Sequence, residues 1–441
     1  MTRPILLIVD YNLSRIDEVR HLRDHARERH GARVLLIRAD PTEADHSLAD
    51  EVLDLDPLCD DFTDRGEKLL CDRRGQITAG IVFSDNAVRS GAELLERLGV
   101  PVDSSQLAAG AFSKHRYRLG EARVADLLAA QRIMVPDFAE IASLDQLRDF
   151  AGAHPEGFVV KPATEGNNRG VVVVRPGDDL TTAFAEVLPY LERGVICEQL
   201  IPYRREYSFD GLGPLAFLTE KISASGRYPV EIAQVLPARV DERERATLER
   251  AGRQANLLVG QCDGPFHNEI KLSDDGLCAA IVEPNRRPGG MKIWSLARWV
   301  YGIDLHHRWA DAAFGAATDI GRLVPGCEAA TVLLGVGSDR SFCPDDVAFG
   351  ADPFTDAVQA TAGRFGLAEG ALTVAEFCWL SPERRDLHTV ARDNADFAAQ
   401  ACVVLRGGGA DIRAVVHTLR EAWSDALDRA LARTAPVRKV R

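Results

Sequence analysis

The chain has 441 residues, more than one ordinary hydrophobic core encloses, so two to four subdomains are expected. Its composition, 46% hydrophobic and 27% charged, is that of a soluble globular protein, with no low-complexity tract and no fixed repeat. The 53 Lys and Arg against 66 Asp and Glu leave a net charge of -13, which repels polyphosphate at long range and argues against nucleic acid as a partner; a nucleotide held by local cations in a cleft is still allowed.

In chain order, Ile5–Val9 is a continuous apolar run, as expected for a strand buried on both faces. It is too short for a signal-peptide core or a membrane span. A polar helical stretch follows to about Arg29, and residues 34–37 and 80–83 repeat the strand pattern. Ser84 or Asp85 can then cap a helix carrying Val88, Gly91, Leu94, Leu95 and Leu98 on one face and stopped by Gly99. This alternation predicts a small parallel sheet flanked by helices. No GxGxxG follows the first strand, which argues against a dinucleotide site there.

A helical linker with Lys114, Arg116 and Arg118 extends to about Pro136. Beyond it come short strands joined by turns, at 157–161, 169–174, 195–199, 207–211 and 216–222, which predict a mostly antiparallel sheet. Two more strands and a turn occupy 265–290. After about Pro325 a further α+β segment ends in a long helix from Asp411 to about Thr434, with Ile412, Val415, Val416, Leu419, Trp423, Leu427 and Leu431 along one stripe. The basic tail Arg438, Lys439 and Arg441 reads as a solvated end. Nine scattered cysteines without CxxC or metal-ligand spacing fit free thiols in a reducing cytoplasm.

Three segments carry residues suited to a nucleotide. In the first, a strand ends at Lys161, a loop from Thr164 contains Gly166 and Gly170, and an apolar strand returns; glycines admit close approach to phosphate, and Lys161 adds a point charge. A plain hairpin with a solvated lysine would read the same way. In the second, Glu198-Gln199-Leu200-Ile201-Pro202 is a strand end entering a proline turn, able to offer an adenine one backbone donor and one acceptor, with Glu206 placed to accept from ribose hydroxyls. A strand edge with exposed glutamates would look alike. The third is the strongest: Glu269 and Glu283 fall on adjacent strand patterns, with Asn285, Arg286, Arg287 and Gly289-Gly290 following. Two carboxylates and an amide oxygen suit hard oxygen coordination of Mg²⁺, and the arginines offer forks for carboxylate or phosphate.

These segments, in this order, resemble the ATP-grasp superfamily over most of the chain. The stretch Glu283-Pro284-Asn285-Arg286-Arg287-Pro288-Gly289-Gly290 is similar to the Glu-x-Asn-Pro-Arg-x-Gly-Gly signature of carboxylate–amine ligases, a subgroup that includes L-amino acid ligases of dipeptide antibiotic biosynthesis. The resemblance implies an α/β (α+β) fold with an N-terminal α/β domain (1–110), linker helices and a small lobe (111–215), a large lobe with the metal site (216–325) and a C-terminal α+β segment completing it (326–441). It implies that Lys114 and Lys161 hold ATP phosphates and that the backbone of Gln199, Leu200 and Ile201 meets adenine, with Glu198 at its amino edge. Glu206 would hold the ribose, and the loop from Thr164 to Gly170 would close over the phosphates. Glu269, Glu283 and Asn285 would bind two Mg²⁺, for which Mn²⁺ could substitute. Arg287 would contact the acyl-phosphate or its tetrahedral successor.

Two positions depart from the pattern. Arg286 replaces the usual proline and brings an extra cation into the turn, expected among the catalytic residues and able to hold a second carboxylate or to point outward. Gln234, in Glu231-Ile232-Ala233-Gln234, replaces a histidine common in related ligases and cannot serve as acid or base; His267 is a candidate substitute. The implied activity is ATP-dependent amide formation through an acyl-phosphate, on small-molecule donor and acceptor substrates, with amino acids expected. The alternatives are a ligase of nucleotide biosynthesis, acylation of a carrier protein, or a regulator without catalysis. No membrane or nucleic-acid partner is expected, and a homodimer is compatible with the sequence.

Overall fold

The computed structural model describes residues 3–166, 168–224, 227–316 and 323–432. The basic tail, Thr434 and Asn167 of the glycine loop lie outside the described residues.

The apolar runs at the start form the expected parallel sheet, in the order Glu51–Asp54, Arg33–Arg38, Ile5–Val9, Ile77–Val82. Ile5–Val9 is buried at every position, as its unbroken hydrophobicity requires. The helices Ile16–His30 and Val88–Leu98 cover the sheet, each ended by a glycine at positive φ, Gly31 and Gly99. The strand order reverses beside Ile5–Val9, and a crevice opens beyond the carboxyl ends of such strands. Asp10, Tyr11, Ser84 and Asp85 sit there.

Residues 138–199 build a four-stranded antiparallel sheet in the order Phe138–Glu140, Val195–Gln199, Phe158–Pro162, Val172–Val174. Its last strand is shorter than expected. Asn168 at φ 60 and Gly170 at φ 69 turn the chain before Val172 and cannot continue an extended backbone.

The largest sheet among the described residues has nine strands. Its order is Leu372–Trp379, Ala399–Leu405, Glu328–Leu334, Glu231–Leu236, Leu215–Ser223, Arg205–Leu212, Pro265–Leu272, Ala279–Asn285, Ile133–Met134. Every pairing is antiparallel except the last. The C-terminal strands thus extend the same sheet that carries Glu269 and Glu283. The closing helix Ile412–Ala432 buries its apolar stripe against them, with Trp423 fully enclosed. Among the described residues no helix is long and apolar enough to cross a membrane.

Period-two alternation divides the strand Pro265–Leu272 between two environments. Phe266 and Leu272 join the core beneath the helix Glu242–Leu258, while His267, Glu269 and Lys271 face a cavity. That helix comes close because Gly252 has no side chain: a Cβ there would sit 2.3 Å from the Phe209 ring. Asn268 donates from Nδ2 to Gly252 O at 3.1 Å and to Asn256 Oδ1 at 2.7 Å, fixing the helix on the strand. Gly252→Val should therefore destabilise the fold by about 1–3 kcal/mol through overpacking, because valine's small propensity gain over glycine cannot offset the clash. Chemical denaturation should show the loss in the midpoint.

Candidate active site

Three parts of the fold meet at a cavity of about 1220 Å³. The parallel sheet contributes the turns at its carboxyl edge, including Asp10, Arg15 and Asp85. The small antiparallel sheet contributes Lys161, the loop residues Thr164, Glu165 and Gly166, and the strand end Glu198 to Ile201. The large sheet contributes Glu206, Lys221, Glu231, Gln234, His267, Glu269 and Glu283.

Register places Glu269 directly opposite Glu283 on neighbouring strands. Like charges facing each other in this way repel. Each is met by a lysine: Lys221 Nζ lies 2.7 Å from Glu269 Oε1, and Lys114 Nζ lies 2.9 Å from Glu283 Oε2. Burial works against the charge on both lysines, but the facing carboxylates outweigh it and raise their pKa values: Glu231 and Glu269 for Lys221, Glu283 for Lys114. Lys114 also donates to Glu165 O at 2.8 Å, which ties it to the glycine loop.

A second charged set backs the first. Arg118 is wholly buried. It donates to Glu198 Oε1 at 2.9 Å and Oε2 at 3.1 Å, to Ile281 O at 2.9 Å and to Val282 O at 3.1 Å, and it also binds Glu121. Lys161 Nζ donates to Glu198 Oε2 at 2.7 Å. Burial would raise the Glu198 pKa, but Arg118 and Lys161 hold it at about 2. The Lys161 pKa is lowered by burial, with Arg118 and Lys114 adding to the effect against Glu198. Arg118 therefore joins the strand end at Glu198 to the strand carrying Glu283.

Glu198, expected at the amino edge of an adenine, lines the cavity and also accepts from Arg118 and Lys161, which ties Lys161 to this strand end. Gln199, Leu200 and Ile201 all line the cavity, with the Gln199 backbone N–H already given to Asp137 O at 2.8 Å. Glu206 faces the cavity as expected, with Lys271 Nζ 2.9 Å away and Ser223 donating to it. Gly166 lines the cavity. Gly170 does not; its missing side chain makes room for Tyr190 and Pro162, which a Cβ would meet at 2.6 and 2.9 Å.

Arg287 lines the cavity and donates from Nε to both oxygens of Asp85 at 2.7 Å. Arg286 does not. It is buried on the other side, donating to Ser104 O at 2.6 Å and Val259 O at 3.2 Å, so the expectation of a catalytic role for it is corrected. The strand ends at Asn285, and in the turn beyond it Arg286 is aimed away from the cavity that Glu283 and Arg287 line; Asn285 is buried and does not line it either. Asn285 donates from Nδ2 to His267 O at 3.1 Å, and its Oδ1 accepts from Arg287 Nη2 at 3.5 Å. Glu269 and Glu283 are partly open to the cavity, and their hard oxygens fit a Mg²⁺ ion; Asn285 Oδ1 has only the long contact to Arg287 to give up.

His267 is held between carboxylates. Nδ1 is 2.6 Å from Asp210 Oδ1, and Nε2 is 3.5 Å from Glu269 Oε1. Burial lowers its pKa, but Asp210 and Glu269 outweigh that and bring it to about 9. Both carboxylates thus favour its charged form. Burial raises Glu231 to about 7. Glu231, Gln234 and Asn394 line the same cavity, and Glu231 Oε1, Gln234 Oε1 and Asn394 Oδ1 are buried without a hydrogen-bond partner.

Sequence reasoning missed Lys221, which sits beside Glu220 in the polar half of the strand Leu215–Ser223 and carries no motif. It also missed Arg15, which donates to Pro288 O at 3.0 Å and Gly289 O at 2.8 Å and so clamps the glycine turn from the parallel-sheet side.

The Glu198 ion pairs set a pH test. A folded pKa of about 2 against an ordinary 4.5 means that this stabilisation is complete above pH 4.5 and lost as pH falls through 2. Glu198→Gln leaves Lys161 without its carboxylate and Arg118 with Glu121 alone, and should cost about 3–5 kcal/mol at neutral pH. The gap between wild type and variant should narrow on acidification between pH 4.5 and 2 in denaturant titrations.

No protein-family model matches the chain. It is 25% identical over 219 residues to a D-alanine–D-alanine ligase of Trichlorobacter lovleyi, a match covering 44% of this chain and 62% of that protein, so less than two thirds of the relative's length is spanned. The structure superposes on an L-amino acid ligase from Bacillus licheniformis with a TM-score of 0.70 at 16% identity, covering 98% of each chain. It also superposes on a phosphoribosylglycinamide synthetase from Anaerococcus prevotii with a TM-score of 0.62 at 13% identity, again over 98% of both.

Proposed function

Since the fold is that of the ATP-grasp carboxylate–amine ligases, we propose that this chain joins a carboxylate and an amine, with amino acids as substrates, through an acyl-phosphate formed at the expense of ATP. The observation that carries this reading is the convergence of Lys114 and Lys161 with the opposed pair Glu269 and Glu283 in one cavity, beneath a glycine loop.

In this reading Leu200 and Ile201 present backbone to the adenine, Glu206 accepts from the ribose, and Lys114 and Lys161 lie along the triphosphate. Mg²⁺ held by Glu269, Glu283 and Asn285 would neutralise phosphate charge. An oxygen of the donor carboxylate attacks the γ-phosphorus and ADP leaves. The acceptor nitrogen then attacks the acyl carbon, inorganic phosphate leaves, and the nitrogen gives up a proton. Arg287 stabilises the oxyanion formed at that carbon. The loop from Thr164 to Gly170 keeps water from the intermediate, whose hydrolysis would waste it.

The carboxylate and amide side chains of Glu231, Gln234 and Asn394, which line the cavity, would suit a substrate that brings N–H donors, such as an ammonium group. Arg38 and Arg89 line the cavity at the parallel-sheet end and would suit a phosphorylated substrate, which keeps a nucleotide-biosynthesis ligase as the second reading.

A panel of amino-acid pairs with ATP and Mg²⁺, followed by ADP release and mass spectrometry of products, tests the choice. Amino-acid-dependent ADP release with a product lighter than the two substrates by one water supports ligation. Turnover only with phosphorylated amines supports the second reading, and no ADP release with either class refutes both. Glu283→Ala should abolish ADP release with every pair.

A further inference from the structure

Away from the cleft, five of the chain's eleven histidines gather between the helices Ile16–His30 and Leu305–Ala313: His21, His25, His30, His306 and His307. These helices share an apolar core through Leu22, Ala26, Leu305, Trp309 and Ala310. At its edge, His25 Nε2 lies 2.8 Å and His30 Nε2 lies 2.7 Å from the same oxygen, Asp311 Oδ1. The three ligand atoms fall within 4.8 Å of one another.

Both rings are fixed by stacking. His307 lies on His25 with centroids 4.1 Å apart and planes 12° apart, and Phe314 lies on His30 at 4.2 Å and 16°. Each stack holds the ring so that Nε2 points at the carboxylate. Side-chain exposures of 16%, 20% and 32% for His25, His30 and Asp311 leave a path from solvent.

We propose that His25, His30 and Asp311 bind a divalent transition ion, with Zn²⁺ as the ion to test, in a three-ligand site completed by water. Two imidazole nitrogens and one carboxylate oxygen suit such an ion and not Mg²⁺. Metal–ligand bonds of about 2.0–2.1 Å at tetrahedral angles need ligand atoms about 3.3 Å apart, so the present contacts of 2.7 and 2.8 Å must open by about half an ångström, within reach of small χ rotations. The helix carrying His25 and His30 begins just after Arg15, the residue that clamps the turn at Pro288 and Gly289, so the ion would also brace one wall of the cleft.

The test uses the full chain stripped with a chelator and titrated with Zn²⁺ against a chromophoric competitor. To separate this site from the cleft, every protein carries Glu283→Ala. One retained ion is expected, with affinity reduced about tenfold or more by His30→Gln and by Asp311→Asn. Co²⁺ should give visible bands of a low-coordinate, nitrogen-ligated site in the Glu283→Ala background and lose them on adding His25→Gln, with unchanged circular dichroism as the folding check. No ion retained through gel filtration, or an ion held equally by the His30→Gln protein, would overturn the proposal. Neither result bears on the ligase reading.

Discussion

The structure turns on two carboxylates that register forces into opposition. Glu269 and Glu283 face each other across adjacent strands, so the cleft must supply positive charge at that point. Lys221 reaches in from the neighbouring strand for one, and Lys114 from the linker helix for the other. Lys114 in turn holds the glycine loop through Glu165 O, so the loop's position depends on the acidic pair. A metal-bound polyphosphate is the ligand that would use both signs of charge together.

Behind this pair stands Arg118, which grips Ile281 O and Val282 O beside Glu283 with one part of its guanidinium and Glu198 with the rest. Glu198 then aims Lys161. One buried arginine thereby sets the spacing between the acids of the large sheet and the lysine of the small one. Burying so many charges is a poor route to stability, because desolvation cancels much of the attraction. What it gives is a fixed geometry in a region of low dielectric, where electrostatic effects on a reacting phosphate are largest.

Much of this was legible in the chain. The parallel sheet could be read because its central strands are buried on both faces and hence apolar throughout. The edge strand Glu51–Asp54, half-exposed and bearing two acids, has no such pattern and escaped notice, as did the two-residue strand Ile133–Met134. At the site, Lys114, Lys161, Glu206, Glu269, Glu283 and Arg287 were readable from ordered local motifs, and all of them line one cavity. Arg286 was misplaced because adjacency in sequence was read as adjacency in space, although the turn after the strand sends Arg286 to Ser104 O and Arg287 to Asp85. The bonds of Glu198 to Arg118 and Lys161 span 80 and 37 residues, and Lys221 meets Glu269 across 48; only the folded sheet order brings such pairs together.

A crystal structure with Mg²⁺ and a non-hydrolysable ATP analogue tests the central claim most directly. The account predicts the terminal phosphates between Lys114 and Lys161, with metal bound by both Glu269 and Glu283 and the Lys114–Glu283 contact released. A nucleotide bound elsewhere, or an ion that touches neither carboxylate, would contradict it.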